Sequence, residues 1–245
     1  MVVTDESPYL SIVIPVHNEE RRLPAAFEKL DAFLVRQPYT AEVVIVENGS
    51  TDDTVRVAKQ FAAAHPYVRF FCEEARGKGL AVRRGMVEAR GAIRFLCDVD
   101  FSMPVEEISK FLPPQLNGYD VAIGSREAPG AVRYDEPAYR HLMGRINNLL
   151  VKLLVLPDFE DTQCGFKAFT AAVAEDIFPL QRMNGIGFDV ESLYIAKRRG
   201  YKIVEVPIHW YYDPDSRMRM IDDTLAMIRE IWAVRANWRK GLYDR

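Results

Sequence analysis

The sequence predicts an α/β fold: a mostly parallel sheet flanked by helices on both faces, with amphipathic helices toward the C-terminus. Three observations carry that prediction. Short apolar runs alternate with helically spaced stretches through the first half of the chain, the pattern of buried parallel strands joined by helices. Polar residues cluster immediately after those runs, where parallel sheets bind ligands. The 245 residues are 49% apolar, 11% aromatic and 27% charged, enough to build one large core and far from a disordered composition. A single domain spanning 1–245 is expected.

The elements follow in order. Leu10 to Pro15 reads as a buried strand, Leu23 to Val35 as a helix, and Val43 to Val46 as a β-branched second strand. Ser50 and Thr51 offer N-caps to a helix bearing Val55, Ala58, Phe61 and Ala62. Val68 to Cys72 is a third strand, Leu80 to Ala89 a helix, Ile93 to Cys97 a fourth strand, Val105 to Leu112 a helix and Asp120 to Gly124 a fifth strand. The second half is less regular. It holds helices over Ala138 to Val155 and Asp189 to Arg199, a compact segment from Cys164 to Phe169, a strand from Lys202 to Val206 and a long helix from Asp222 to Arg239. No internal repeat or linker divides the chain.

Charge and composition exclude several functions. Lys plus Arg is 32 against 35 for Asp plus Glu, so no basic surplus exists to neutralise nucleic-acid phosphates, and none is expected as a partner. The three cysteines are scattered, which argues against a disulfide framework and for a reducing, cytoplasmic setting. No apolar signal core opens the chain. The most apolar long stretch, Leu142 to Leu156, carries Arg145, Asn147, Asn148 and Lys152, too polar to span a bilayer but suited to lying on one. Trp232 and Trp238, among Arg229, Arg235, Arg239 and Lys240, suit either a headgroup layer or ordinary packing.

Carboxylates recur at successive strand ends: Pro15-Val16-His17-Asn18-Glu19-Glu20, then Glu47-Asn48-Gly49-Ser50-Thr51-Asp52-Asp53, then Asp98-Val99-Asp100. Crowded acids are costly unless a cation or donor groups compensate. Asp-x-Asp is common in solvated turns, but directly after an apolar strand it favours a shared Mg²⁺ or Mn²⁺. Asn48 to Asp52 is equally a structural turn with a cap. Gly77-Lys78-Gly79 is either a solvated loop or a helix start aiming Lys78 at phosphate. His17, with no second His nearby, supports its loop rather than a metal.

Taken jointly, these segments resemble glycosyltransferase family 2, whose members have the Rossmann-like GT-A fold. In the second half, Asp161-Thr162-Gln163-Cys164-Gly165-Phe166-Lys167-Ala168-Phe169 and Gly187-Phe188-Asp189-Val190-Glu191 are similar to the dolichyl-phosphate glucosyltransferase branch, with the dolichyl-phosphate mannose synthases as cousins. The chain departs from the family at Glu47-Asn48, where Asp-Asp is usual. It lacks the Gln-x-x-Arg-Trp of chain-elongating synthases.

The resemblance implies an inverting transfer of a hexose from UDP-glucose or GDP-mannose to a polyprenyl or dolichyl phosphate at a membrane surface, with 1–125 the nucleotide-sugar-binding half and 126–245 the acceptor-binding half. It places Pro15 and Glu19 at the base and Glu47 and Asp52 at base or ribose. Lys78 falls near the nucleotide, Asp98 at its sugar, and Asp100 on a divalent metal, with Asp98, Asp100 and Asp161 as the catalytic set. An ionised phosphate acceptor needs arginines rather than a base, so Ser125, Arg126 and Arg133 after the fifth strand, with Lys167 and Asp189, are expected on the acceptor side. Arg126 and Arg133 would otherwise only balance Asp135 and Glu136; Arg140 and Arg145 are further candidates. A hydroxyl acceptor would instead require Asp161 or Asp189 as general base. A nucleotide-sugar-binding protein without turnover and a sugar-1-phosphate nucleotidyltransferase fit less well: Asp98-Val99-Asp100 is intact, and no Gly-rich loop follows the first strand.

Overall fold

The structure is a computed structural model; it describes residues 7–214 and 220–244, and only the backbone of 220–227. The very start of the chain, where the absence of a signal core was read, lies outside the described residues. In chain order the elements are β1 (Leu10–Val16), α1 (Leu23–Leu34), β2 (Ala41–Asn48), α2 (Thr54–Ala64), β3 (Val68–Glu73), α3 (Lys78–Glu88), β4 (Ile93–Cys97) and β5 (Val121–Ser125). There follow β6 (Val132–Tyr134), α4 (Ala138–Leu154), β7 (Phe166–Thr170), α5 (Ala171–Ile177), α6 (Phe188–Arg198), β8 (Ile203–Pro207), β9 (His209–Tyr211) and α7 (Met220–Arg239).

Two compact units form. The first reaches to Phe101 and takes back Gly165–Pro179. Within it the strands run β3-β2-β1-β4-β7, parallel except for β7, which pairs antiparallel with β4. Every residue of β1 and β2 is buried, as strands covered on both faces must be. Helix α3 approaches this sheet closely at Gly85, where a Cβ would stand 2.3 Å from a methyl of Val13. The register carries the carboxyl ends of β1 and β2 side by side, with Val16 opposite Glu47. It therefore brings together the two polar loops that the sequence singled out.

The second unit comprises Ser102–Cys164 and the chain from Leu180 onward. It contains the parallel pairs β5–β8 and β6–β9. Strands β6 and β9 escape the sequence reading because three residues are too few to show a period of two. The stretch expected as a helix over Val105 to Leu112 is a 3₁₀ helix, Val105–Phe111, opened by Pro104. The segment expected to be merely compact at Cys164 to Phe169 is mostly strand β7. The C-terminal chain is tied to α6 through the buried Glu191. It accepts from Tyr243 Oη at 2.6 Å and from the backbone N–H groups of Arg182 and Met183. No described helix is long and apolar enough to cross a membrane.

Candidate active site

In the first unit the site is built from loops that bond to one another. Asn18, at the end of β1 with a left-handed φ of +54°, donates its backbone N–H to Ser50 Oγ at 2.9 Å and accepts the Thr51 N–H at 2.8 Å. Asn tolerates that conformation better than most residues. Asn48 donates to Val16 O at 2.9 Å and accepts the Gly77 N–H at 3.1 Å, so one side chain joins β1, β2 and the start of α3. His17 Nδ1 donates to Asn48 O at 2.9 Å, the loop-supporting role expected of it.

Ser50 and Thr51 do not cap α2. The helix begins at Thr54, and Asp52 Oδ1 accepts the Thr54 N–H at 3.0 Å while Oδ2 accepts the Glu20 N–H at 3.2 Å. The expected caps fail because Asn18 claims the hydroxyl of Ser50 across the sheet edge. Burial works to raise the Asp52 pKa, but the hydrogen bonds from Thr54 and Glu20 outweigh it and hold the carboxyl below its ordinary value. Glu19 belongs to the same knot through its N–H to Thr54 Oγ1, 2.7 Å. Pro15 is buried within β1.

Glu47 is buried at the end of β2. One oxygen accepts the Ser50 N–H and the other lies 2.9 Å from Cys72 Sγ, a contact that pushes the Cys72 thiol up to about 11. The carboxylate thus shapes the loop. Its extra methylene, compared with the family's Asp, reaches β3.

After β4 the chain turns sharply. Asp98 is half-buried, Val99 buried and Asp100 exposed, and Phe101 sits at a left-handed φ of +45°, a costly conformation for a bulky residue. Asp98 Oδ1 lies 2.7 Å from Lys78 Nζ at the first turn of α3. Its backbone N–H donates to Gly165 O at 3.2 Å, and a Cβ on Gly165 would fall 1.9 Å from Asp98 Oδ2. The sequence presents Gly165 only within the segment from Asp161 to Phe169; its place behind Asp98 is visible only once β7 pairs with β4. The described residues contain no group of three His, Cys, Asp or Glu able to hold a metal by themselves.

The second unit carries Ser125, Arg126, Arg133, Asp161 and Asp189; of the residues expected on the acceptor side only Lys167 falls in the first. Arg126 meets the fully buried Asp161 through Nε at 2.7 Å and Nη2 at 3.0 Å, and the Arg126 backbone N–H adds a third bond at 3.0 Å. Burial alone would lower the Arg126 pKa, but the Asp161 carboxylate overrides it and the net shift is upward. Glu205 orients Asp161 by accepting its N–H at 3.1 Å. Arg133 faces Glu136 at 2.7 Å and Glu127 at 2.5 Å, not Asp135. Both guanidinium groups lie against Trp210, at 5.5 and 5.6 Å from its ring, because β6–β9 pairing sets Arg133 directly opposite Trp210. Nothing in the sequence around Trp210 marked that platform.

Ser125 Oγ accepts the N–H groups of Glu127 and Ala128, so it forms the turn after β5. Asp189 is buried in the first turn of α6. Lys167 belongs to the first unit and is fully buried on β7.

A largely parallel sheet with acidic and amide residues at successive strand ends, and Asp-x-Asp closing the fourth strand, is the arrangement of the GT-A fold. The solved glucosyl-3-phosphoglycerate synthase of Mycobacterium tuberculosis, in complex with Mn²⁺, UDP-glucose and phosphoglyceric acid, shares this fold. Its TM-score is 0.67 at 18% identity, over 96% of this chain and 80% of that one.

The chain belongs to glycosyltransferase family 2, whose model matches residues 11–178. A dolichyl-phosphate beta-glucosyltransferase of Trichomonas vaginalis is 30% identical over 254 residues, covering 99% of this chain and 75% of that protein. The dolichyl-phosphate beta-glucosyltransferase of Drosophila melanogaster is 32% identical over 256 residues, covering 98% and 78% respectively.

Proposed function

We propose that this glycosyltransferase moves glucose, with inversion, from UDP-glucose to a polyprenyl or dolichyl phosphate. The observation that carries the acceptor reading is the state of Asp161. A hydroxyl acceptor needs a carboxylate with an oxygen available to take its proton. Of the two candidate bases, Asp161 is fully buried and gives both oxygens to one guanidinium, and Asp189 is buried in the first turn of α6. A phosphate monoester arrives ionised and needs no base. The names of the relatives that match nearly all of this chain support the same acceptor class and the same sugar.

On the donor side, Asp98 and Asp100 are two residues apart beyond β4, with Asp98 already bridged to Lys78. That donor set fits Mg²⁺ or Mn²⁺ held by Asp100 and completed by diphosphate and water, which is how Mg²⁺ is commonly bound. The Mn²⁺ in the solved synthase complex is in keeping with it. Such a cation neutralises charge developing on the leaving diphosphate. Lys78 supplies a second positive group beside it, Asp98 positions that lysine and reaches the donor sugar, and the Asn18–Asn48–Asp52 knot holds the nucleotide loop rigid.

The acceptor lives in a bilayer, and α4 suits its surface. Tyr139, Leu142, Ile146, Leu149 and Leu153 recur along one face, with Leu142 62% and Leu153 72% exposed. The helix carries Arg140, Arg145 and Lys152 and no acid, the signature of an interfacial helix on anionic lipid. In α7, Trp238 instead packs on Tyr194, while Trp232 is exposed. Free cysteines and a basic helix fit peripheral attachment on a cytoplasmic membrane face. Anionic liposomes should co-float the protein, and Leu142→Asp with Leu153→Asp should abolish it. No flotation of the unaltered protein, even with polyprenyl phosphate present, would remove this part of the proposal.

The transfer itself is tested with radiolabelled nucleotide sugars, polyprenyl phosphate and Mg²⁺ or Mn²⁺, followed by organic extraction. Label from UDP-glucose should enter the organic phase, and Asp100→Asn should cut that rate by roughly a hundredfold or more, the scale of one lost electrostatic stabiliser. Organic-phase label from GDP-mannose alone would overturn the sugar. Label passing only to hydroxyl acceptors would overturn the phosphate.

A further inference from the structure

Glu47 is 2% exposed, and a carboxylate so deeply buried needs a donor for each oxygen. One oxygen takes the N–H of Ser50, three residues on, and closes the turn. The other has one donor among the described residues, the Cys72 thiol at 2.9 Å. The β2–β3 register sets Glu47 and Cys72 directly opposite one another, so the contact is built into the strand pairing. We propose that Cys72 is a positioning residue for the nucleotide loop: its S–H holds the Glu47 carboxylate in the orientation that fixes the Ser50 turn against the donor nucleotide. The inference deepens the donor-side reading given above and rests on it.

The turn passes the constraint on. Gly49 within it takes a left-handed φ of +71°, and Ser50 Oγ accepts the Asn18 N–H at 2.9 Å. A line of hydrogen bonds therefore runs from Cys72, on the edge strand β3, through Glu47 and Ser50 to the loop after β1. An Asp at position 47 would be one methylene shorter and would draw back from the sulfur, so the thiol serves this chain's glutamate in particular. It serves as a donor and not as a nucleophile. The hydrogen bond to Glu47 raises the thiol pKa to about 11, which keeps the proton on sulfur near neutral pH. Cys72 is exposed, whereas Cys97 and Cys164 are buried, so its side chain adds little to the core and acts through Glu47.

The test is Cys72→Ala, titrated calorimetrically with UDP and Mn²⁺ in the absence of acceptor. The UDP dissociation constant should weaken by roughly fivefold, the scale of one net hydrogen bond. Cys72→Ser restores a donor and should return the constant to within about twofold of the parent value. In a Glu47→Asp background the thiol has lost its acceptor, so adding Cys72→Ala should change the constant by less than about twofold. In the transfer assay, Cys72→Ala should raise the UDP-glucose KM and leave the acceptor KM unchanged, a split that general loosening of the fold would not produce. UDP binding that Cys72→Ala leaves unchanged, or a loss that Cys72→Ser does not repair, overturns the inference alone. No UDP binding by the unaltered protein overturns the nucleotide reading, and the inference with it. Should Cys72→Ala fail to fold, the unaltered protein supplies the check. If the thiol contact strengthens UDP binding, UDP must by reciprocity strengthen the contact. Saturating UDP and Mn²⁺ should then slow alkylation of Cys72 by iodoacetamide several-fold, and an unchanged rate overturns the inference equally.

Discussion

Asp161→Asn is expected to lose both activity and stability. The native carboxylate accepts the Arg126 Nε, Nη2 and backbone N–H, and none of its surface is exposed. Asn keeps the shape but turns an N–H₂ toward a guanidinium that also only donates, leaving a positive charge in a poorly solvated place. Breaking one side of a buried pair costs about 3–5 kcal/mol. For a chain of this size that is a melting-temperature drop of about 10 °C. Activity should fall with it, because the Arg126 loop no longer has a fixed position. A general-base role makes a different forecast: activity lost with the melting temperature held. The double replacement Arg126→Met with Asp161→Leu separates the two further. It should recover much of the stability, since apolar pairs often replace buried ion pairs without penalty, and recover none of the transfer. Thermal denaturation followed by circular dichroism, beside the extraction assay, reads both quantities.

Gly165→Ala is the second large expectation, and its signature is the reverse. The added methyl would stand 1.9 Å from Asp98 Oδ2 and 2.4 Å from its carboxyl carbon, so Asp98 must rotate away. That rotation breaks the 2.7 Å contact with Lys78. The pair is partly exposed, so stability should change by no more than about 1 kcal/mol. Turnover depends on placement rather than on pair strength, and misplacing a reacting group by about 1 Å can cost roughly a hundredfold. A drop of that order in kcat/KM, with a weakened UDP-glucose affinity and an almost unchanged melting curve, is the expected result. Full activity in Gly165→Ala would show that the Asp98 position is immaterial to donor handling.

Much of the fold was legible because parallel strands leave a strong trace. Leu10 to Pro15, Val43 to Val46 and Ile93 to Cys97 are apolar on both faces, and the loops after them had to be polar to remain at the sheet's edge. The same trace exposed Asp98, Asp100, Lys78 and the Asn48 to Asp52 turn as a group. It misjudged Ser50 and Thr51, because capping is a local rule and Asn18, more than thirty residues away, competes for the Ser50 hydroxyl. It was silent on β6 and β9, and so on Trp210 facing Arg133.

What the sequence determined alone was the alternation of apolar runs and polar strand ends, since burial demands it residue by residue along the chain. What tertiary structure alone decided was partnership. Gly165 backs Asp98 because β7 pairs antiparallel with β4, Arg126 grips Asp161 across thirty-five positions, and Glu127 gathers cations from β6 and α4. Such pairings depend on which distant segments are brought within a few ångströms, and one-dimensional spacing does not encode that distance.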